Sequence, residues 1–225
     1  MGMVLKYRAA TVPRYCSTVV LKRYGTEWEV GNKSKGSSMT TNVIVVNQKG
    51  GVGKTTFADE IAWGLERRGV EVGFGNLDRQ GGACHEVGMV EGEGAVNIID
   101  TPGYLGDGVE EWAANADVAV VPVQPGTLGL KPMKRTLRVI MQANPELSVG
   151  IIVNNYSDRR VIDRQFLELL KADELPVIGT VPTATAFAQG SALGRSVTEI
   201  NPNGAAAKAV EGIVDQLMEV VFDGK

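Results

Sequence analysis

Short apolar runs of strand length recur along the chain after residue 40, and most are followed by a segment with helical periodicity. The runs cover residues 43–47, 70–76, 95–99, 117–123, 149–153 and 177–182. A continuous apolar run is typical of a strand buried on both faces, as in a parallel sheet covered by helices. The alternation of strands and helices therefore predicts an α/β fold with a mostly parallel sheet and helices on both faces.

Two of the predicted helices have a clear apolar face. Phe57, Ile61 and Leu65 recur at every fourth residue after the first run, which predicts a helix packed on the sheet by one side. A closing helix is predicted over residues 205–221, with apolar residues on one side: Val210, Ile213, Val214, Leu217 and Val221. Its other side is acidic and lacks the Lys/Arg face of a membrane-surface helix, so we expect no membrane association.

Residues 1–40 differ from the rest and are predicted to be a basic extension ahead of one domain over residues 41–225. Of the chain's 23 basic and 26 acidic side chains, residues 1–38 carry seven and two. Two short strands are predicted at 18–21 and 26–30, and a flexible linker at 31–41. Two interpretations stay open: a basic arm that contacts DNA phosphates, and an over-extended start or cloning remnant.

The composition excludes several classes of protein. With 225 residues, 44% of them hydrophobic, the chain can bury the core of one α/β domain. It has no run of 18 apolar residues and no signal-peptide core, so we expect a cytoplasmic protein. Cys16 and Cys84 have no motif spacing and are predicted to be reduced thiols. His85, the only histidine, has no obvious metal partners and is predicted to be a surface or loop residue.

A glycine-rich segment follows the first strand and carries the strongest chemical signal. It reads Lys49-Gly50-Gly51-Val52-Gly53-Lys54-Thr55-Thr56 and leads into the first helix. Glycines let backbone N–H groups approach a polyphosphate, and the helix N-terminus adds positive potential. In such a loop Lys54 reaches the β- and γ-phosphates and the Thr55 hydroxyl lies on Mg²⁺. Gln48 stands where the strict form of this motif has its first glycine, and Lys49 is an additional lysine.

Polar residues also end the later strands of the predicted sheet. Asp78 follows the second strand, Asp100 the third, and Asn154 and Asn155 the fifth. Ligands of open parallel sheets bind at the carboxyl ends of the strands, so these residues are candidates for the same site.

The sequence K-G-G-x-G-K-T resembles the "deviant" phosphate-binding loop of the ParA/MinD family of P-loop ATPases. Asn76-Leu77-Asp78-Arg79-Gln80-Gly81 resembles the family's D-x-D-x-Q-G segment, with Asn76 in place of the first Asp. Asp100-Thr101-Pro102-Gly103 resembles its second switch, and the ending at Pro182 its I-P segment. The likeness covers residues 41–222 and is greatest to small ParA-type partition ATPases.

The resemblance implies a role for each of these residues, with ATP and Mg²⁺ as the bound groups. It implies that Lys49 crosses to the nucleotide of a second subunit, that Asp78 positions the attacking water, and that Asp100 holds Mg²⁺ through water. It also implies that Asn154 or Asn155, together with the backbone near Pro182, borders the adenine. Asn76 could slow hydrolysis by weakening the network of water molecules around Mg²⁺.

The resemblance further implies an ATP-dependent homodimer that binds DNA nonspecifically and hydrolyses ATP slowly without an adaptor. A ParB-type centromere-binding adaptor would stimulate hydrolysis during plasmid or chromosome partition, so we expect a nucleoid-associated protein. Arg195, in a segment similar to F-G-K-P-V, is the best candidate for DNA contact, although it could be an ordinary exposed arginine. The alternatives are a relative that positions a protein cargo or division component, and a non-enzymatic module.

One further feature is open to two interpretations. Lys131, Lys134, Arg135 and Arg138 lie three to four residues apart on one face of a predicted helix. Such a row is either a solvated flank or a patch for DNA or a partner.

Overall fold

The computed structural model describes residues 18–24, 27–33, 40–78, 81–103 and 108–223. The chain forms two units, Met1–Ser37 and Ser38–Lys225. In the first unit, β1 (Thr18–Tyr24) and β2 (Glu27–Lys33) pair antiparallel, with Thr18 opposite Lys33 and Tyr24 opposite Glu27. These strands are longer than the predicted pair and take up residues 31–33 of the predicted linker, while residues 34–39 lie outside the described part.

A six-stranded parallel sheet forms the centre of the second unit, which confirms the predicted fold class. Its strand order is β4-β5-β3-β6-β7-β8. The strands are β3 (Thr41–Val45), β4 (Val72–Asn76), β5 (Val96–Asp100), β6 (Val118–Val123), β7 (Ser148–Asn154) and β8 (Val177–Val181). Because β3 lies between β5 and β6, the loop after β3 emerges at the middle of the carboxyl edge.

In the described part of the second unit, seven α-helices follow or separate these strands. They are α1 (Lys54–Glu66), α2 (Val109–Ala114), α3 (Thr127–Ala143), α4 (Val161–Ala172), α5 (Thr185–Leu193), α6 (Val197–Ile200) and α7 (Ala205–Met218). A π-helical turn, Glu219–Asp223, continues α7. None of the helices in the described ranges is both long and apolar enough to cross a membrane.

The main core lies between the sheet and the helices α1 and α7. The predicted apolar faces of both helices are buried there, together with Val43 and Val45 of β3. Adjacent strand residues point to opposite faces, so Ile44 faces the other side of the sheet. Helix α3 packs against β6, and its Met133 and Ile140 are fully buried.

The acidic side of α7 is not simply solvated, because it faces the end of α1. Arg68 donates to Glu211 and Asp215 of α7 at 2.8 and 2.5 Å, and Arg67 donates to Glu211 at 2.7 Å. Gly64 lets the two helices approach, since a Cβ there would lie 2.5 Å from a methyl carbon of Val214.

The boundaries of several elements differ from those that the sequence predicts. The first helix begins at Lys54 inside the glycine-rich segment, because Gly53 is its N-cap. The short helices α2, α5 and α6 were not predicted, since none is long enough to show a clear periodicity. The segment between β4 and β5 contains one antiparallel bridge, between Gly88 and Phe74 of β4.

Candidate phosphate and metal site

The glycine-rich loop joins β3 to α1 and leaves the start of α1 open to a ligand. Gly51 and Gly53 have φ values of 71° and 102°, which residues with a side chain rarely adopt. A Cβ at Gly53 would also lie 2.7 Å from Nδ2 of Asn154. No side chain caps α1, so its first N–H groups remain available to an anion.

Three side chains from neighbouring strand ends hold this loop in place. Asn154 donates to the carbonyl of Val52 at 2.9 Å, and Gln124 donates to the carbonyl of Gly51 at 2.9 Å. Asn47 accepts the N–H of Lys49 at 2.9 Å. These contacts fix the shape of the loop before any ligand binds, which reduces the ordering cost of binding.

The two asparagines after β7 have different surroundings. Asn154 holds the loop and accepts the N–H of Asn155 at 2.8 Å, so its side chain is occupied on both sides. Asn155 has a φ of 55°, and its side-chain oxygen accepts from Thr183, the residue after Pro182, at 3.3 Å. Of the two candidates for adenine contact, Asn155 therefore keeps its amide N–H₂ available, close to the predicted Pro182 segment.

Asp100 and Thr55 form a centre that fits a hydrated Mg²⁺. Thr55 donates to Oδ2 of Asp100 at 2.7 Å, whereas Oδ1 is buried and has no hydrogen-bond partner among the described residues. Asp100 is fully buried, and desolvation raises its pKa to about 6. An orphaned, buried carboxylate oxygen beside a hydroxyl is a donor set that suits this cation.

Lys54 extends from the start of α1 into the same centre. It is 7% exposed, and burial lowers the pKa of its ammonium group, although Asp100 and Asp78 act in the opposite direction. The segment after β5 lies close by, since a Cβ at Gly103 would be 3.3 Å from Nζ of Lys54. A bound polyphosphate would restore the solvation that this ammonium group lacks.

Asp78 lies at the end of the segment that follows β4. Its N–H donates to the side-chain oxygen of Asn76 at 2.9 Å, so the residue that replaces the family's first Asp still accepts a hydrogen bond at this turn. The charge of Asp78 acts on Lys54 and raises the pKa of that ammonium group. Arg79 and Gln80 lie outside the described residues.

Comparison with known proteins agrees with this geometry. Residues 43–197 match the model of the CobQ/CobB/MinD/ParA nucleotide-binding domain. The chain belongs to this family. It is 25% identical, over 81% of its length and 98% of the relative's, to maintenance of carboxysome distribution protein A of Halothiobacillus neapolitanus. It is 26% identical, over 78% of its length and 94% of the relative's, to the chromosome-partitioning ATPase Soj of Thermus thermophilus.

A solved structure gives the same result for the fold. Apo McdA of Cyanthece superposes with a TM-score of 0.68 at 15% identity, over 79% of this chain and 99% of that one. The predicted membership of the ParA/MinD P-loop ATPases is therefore confirmed.

Lys49 distinguishes this family member from P-loop proteins with the strict motif. Its side chain is partly exposed, and no carboxylate of the described residues pairs with it. The contact to Asn47 involves only the backbone of Lys49. Its ammonium group is thus available to an anionic ligand.

Arg195 lies between α5 and α6, and an acidic neighbour partly neutralises it. Its guanidinium donates to Glu199 at 3.1 Å, and its side chain is 53% exposed. The adjacent Ser196 caps α6 and donates to the buried Glu60 of α1 at 2.6 Å, which ties this segment to the nucleotide-binding helix.

His85 lies in a loop, as one of its two interpretations predicted, and its side chain is 12% exposed. Nδ1 is 2.7 Å from Asp59 of α1, and the ring stacks on Phe74. Asp59 also accepts the N–H groups of Cys84 and His85 at 3.0 and 3.1 Å. This anchor fixes the segment that follows Asp78. The one sign of this anchor in the sequence is Asp59 itself, a carboxylate among the apolar residues of α1.

The structure describes one of the two cysteines, Cys84. Cys84 is a free thiol that donates to the carbonyl of Ser191 at 3.6 Å, and Cys16 lies outside the described residues. Among the described residues, no group of three or more His, Cys, Asp or Glu side chains could hold a metal ion.

Proposed function

We propose that this protein is a ParA-type ATPase that binds ATP with Mg²⁺, dimerises while ATP is bound, and uses nonspecific DNA binding to segregate a DNA cargo. The arrangement of Lys54, Thr55 and Asp100 around one buried centre supports this proposal, with Lys49 at its edge. The Soj relative is named for chromosome partitioning, which favours a DNA cargo.

The chain's own residues account for most of the catalytic requirements. Hydrolysis of a γ-phosphate depends mainly on positioning and on neutralising charge. Lys54 and the N–H groups of residues 50–56 would bind the phosphates, while Thr55 and Asp100 would hold Mg²⁺. The cation held there would supply positive charge that stabilises the phosphate oxygens. Asp78, beside Lys54, would orient the attacking water.

Dimerisation would add the second lysine to this centre. We infer that each Lys49 reaches the nucleotide of the partner subunit, so that the dimer forms only with a triphosphate. Ligand and partner binding would then stabilise each other. Pairing two subunits would also double each weak DNA-binding surface, so DNA would be released when hydrolysis separates the dimer. A ParB-type adaptor would accelerate that step.

Size measurement by light scattering in ATP, in ADP and without nucleotide tests this mechanism. Wild type should be a dimer only in ATP. Lys49→Ala should still bind ATP and remain a monomer, Lys54→Ala should lose nucleotide binding, and Asp78→Ala should stay an ATP-bound dimer on DNA. A Lys49→Ala variant that dimerises with ATP would contradict the role given to this lysine.

A second function is favoured by the other curated relative, which is named for carboxysome distribution. In this version the same ATPase would position a protein cargo or division component. Steady-state hydrolysis measured with and without duplex DNA separates the two functions. Stimulation by DNA supports partition of a DNA cargo, whereas unchanged hydrolysis favours the protein cargo.

A further inference from the structure

A cationic groove runs beside the glycine-rich loop, along the first turns of α3. Its volume is about 540 Å³, and it is lined by Gln48, Lys49, Gly50, Lys131, Pro132 and Arg135. Three of these six residues are cations and none is acidic. All the charged groups in the lining are therefore basic, which suits an anionic ligand.

The cations of α3 are not equivalent, because only one of them has an acidic partner. Lys134 pairs with Asp173 at 2.7 Å. Lys131, Arg135 and Arg138 are exposed, and no described carboxylate lies within ion-pairing distance of them. Their spacing of four and three residues places them on one face over roughly 10 Å of helix.

Two hydrogen bonds fix α3 against the loop. Gln48 donates through its side chain to the carbonyl of Pro132 at 2.7 Å, and its N–H donates to Thr136 at 3.1 Å. The residue that replaces the motif's first glycine therefore joins the two walls of the groove. The cations are held at a set position relative to the nucleotide site.

From these observations we propose that the cationic face of α3 forms the DNA-binding surface, contacting phosphates through Lys131, Arg135 and Arg138, while Lys49 at the groove's other wall keeps its role toward the partner subunit. This proposal rests on the proposed DNA-binding function and names its surface. Duplex DNA carries about one charge per 1.7 Å of its axis, so a 10 Å row of cations can meet several phosphates. Arg195, the sequence candidate, is already paired with Glu199 and contributes less.

The salt dependence of DNA binding tests the surface directly. Anisotropy of a labelled 30-base-pair duplex is measured with the full chain, ATP and Mg²⁺ at several salt concentrations. Lys131→Ala/Arg135→Ala should lower the affinity at 50 mM salt by on the order of tenfold, and should reduce the slope of log K against log salt by about two per groove. Lys134→Ala, on the same helix but paired, is the matched control and should change the slope little.

The remaining outcomes separate this proposal from the proposed function. If wild type binds no DNA, the DNA-binding function itself fails. If wild type binds and the double variant has an unchanged slope, or Arg195→Ala alone abolishes binding, the α3 surface is overturned. If the double variant keeps DNA binding but no longer dimerises with ATP, the α3 surface is an interface between two copies of the chain. That result would also overturn the proposal. Arg138 lies outside the groove lining, so Arg138→Ala can be measured if the double variant does not fold. It should also reduce the salt slope, and an unchanged slope would overturn the proposal.

Discussion

Replacement of Asp100 by Asn should stabilise the ligand-free protein while abolishing its response to Mg²⁺. The pKa of Asp100 rises from 3.8 to about 6 because the carboxylate is desolvated. Folding therefore favours the protonated form: the stability that this group contributes is complete below pH 3.8 and is lost as the pH rises through about 6. Asn keeps an oxygen that can accept the hydroxyl of Thr55 and carries no charge.

The size of the effect follows from the two pKa values. At pH 7.5 the ionised carboxylate lowers the unfolding free energy by about 3 kcal/mol, and at pH 5 by roughly half of that. The difference in unfolding free energy between Asp100→Asn and wild type should therefore be about half as large at pH 5 as at pH 7.5. Poorer packing of the Asn side chain would reduce this gain in unfolding free energy.

Urea unfolding at pH 5 and pH 7.5, with and without Mg²⁺ and nucleotide, measures all of these quantities. Wild type should gain stability from Mg²⁺ with nucleotide beyond nucleotide alone, and the variant should not. A ligand-free variant less stable than wild type at pH 7.5 would refute the conclusion that the buried carboxylate is held at a cost for a cation.

Three further experiments test the contacts around the loop and the core. Asn154→Ala should weaken nucleotide binding in calorimetry by about tenfold because the loop loses its anchor, whereas Asn155→Ala should instead reduce discrimination between ATP and GTP; equal effects would contradict the division of roles. Asp59→Ala should lower unfolding free energy by about 2–3 kcal/mol, since three N–H donors lose their acceptor, and an unchanged urea midpoint would show that the anchor is dispensable. Gly64→Ala should cost about 1–3 kcal/mol because its Cβ would meet α7 at 2.5 Å, while Gly212→Ala, which meets nothing within 4 Å, should be neutral or stabilising; similar losses in both would exclude close helix packing as the cause.

The sequence was sufficient for the fold and for the residues at the strand ends. Buried parallel strands read as continuous apolar runs, and ligands of such sheets collect where those runs end, so Asp100 could be placed before its geometry was known. The glycine-rich loop was equally readable, since its spacing reflects the approach of backbone to phosphate.

The contacts that the sequence did not predict are non-local. Gln48 contacts Pro132 and Thr136 more than 80 residues away, and Asp59 contacts His85 across a loop without a motif. Nothing in the local pattern specifies which distant group meets a polar side chain. The different roles of Asn154 and Asn155 likewise depend on the directions of their side chains. Asn155 has a left-handed backbone conformation, which the sequence does not reveal.

Two adjacent carboxylates of α1 link distant parts of the molecule. Asp59 holds the chain that comes after Asp78, and Glu60 holds Ser196 beside Arg195. Both depend on the orientation of a single turn of helix just beyond the phosphate loop. Genetic screens should therefore recover lesions in this turn as pleiotropic alleles, impaired in turnover and in the Arg195 region together, rather than as two separable classes.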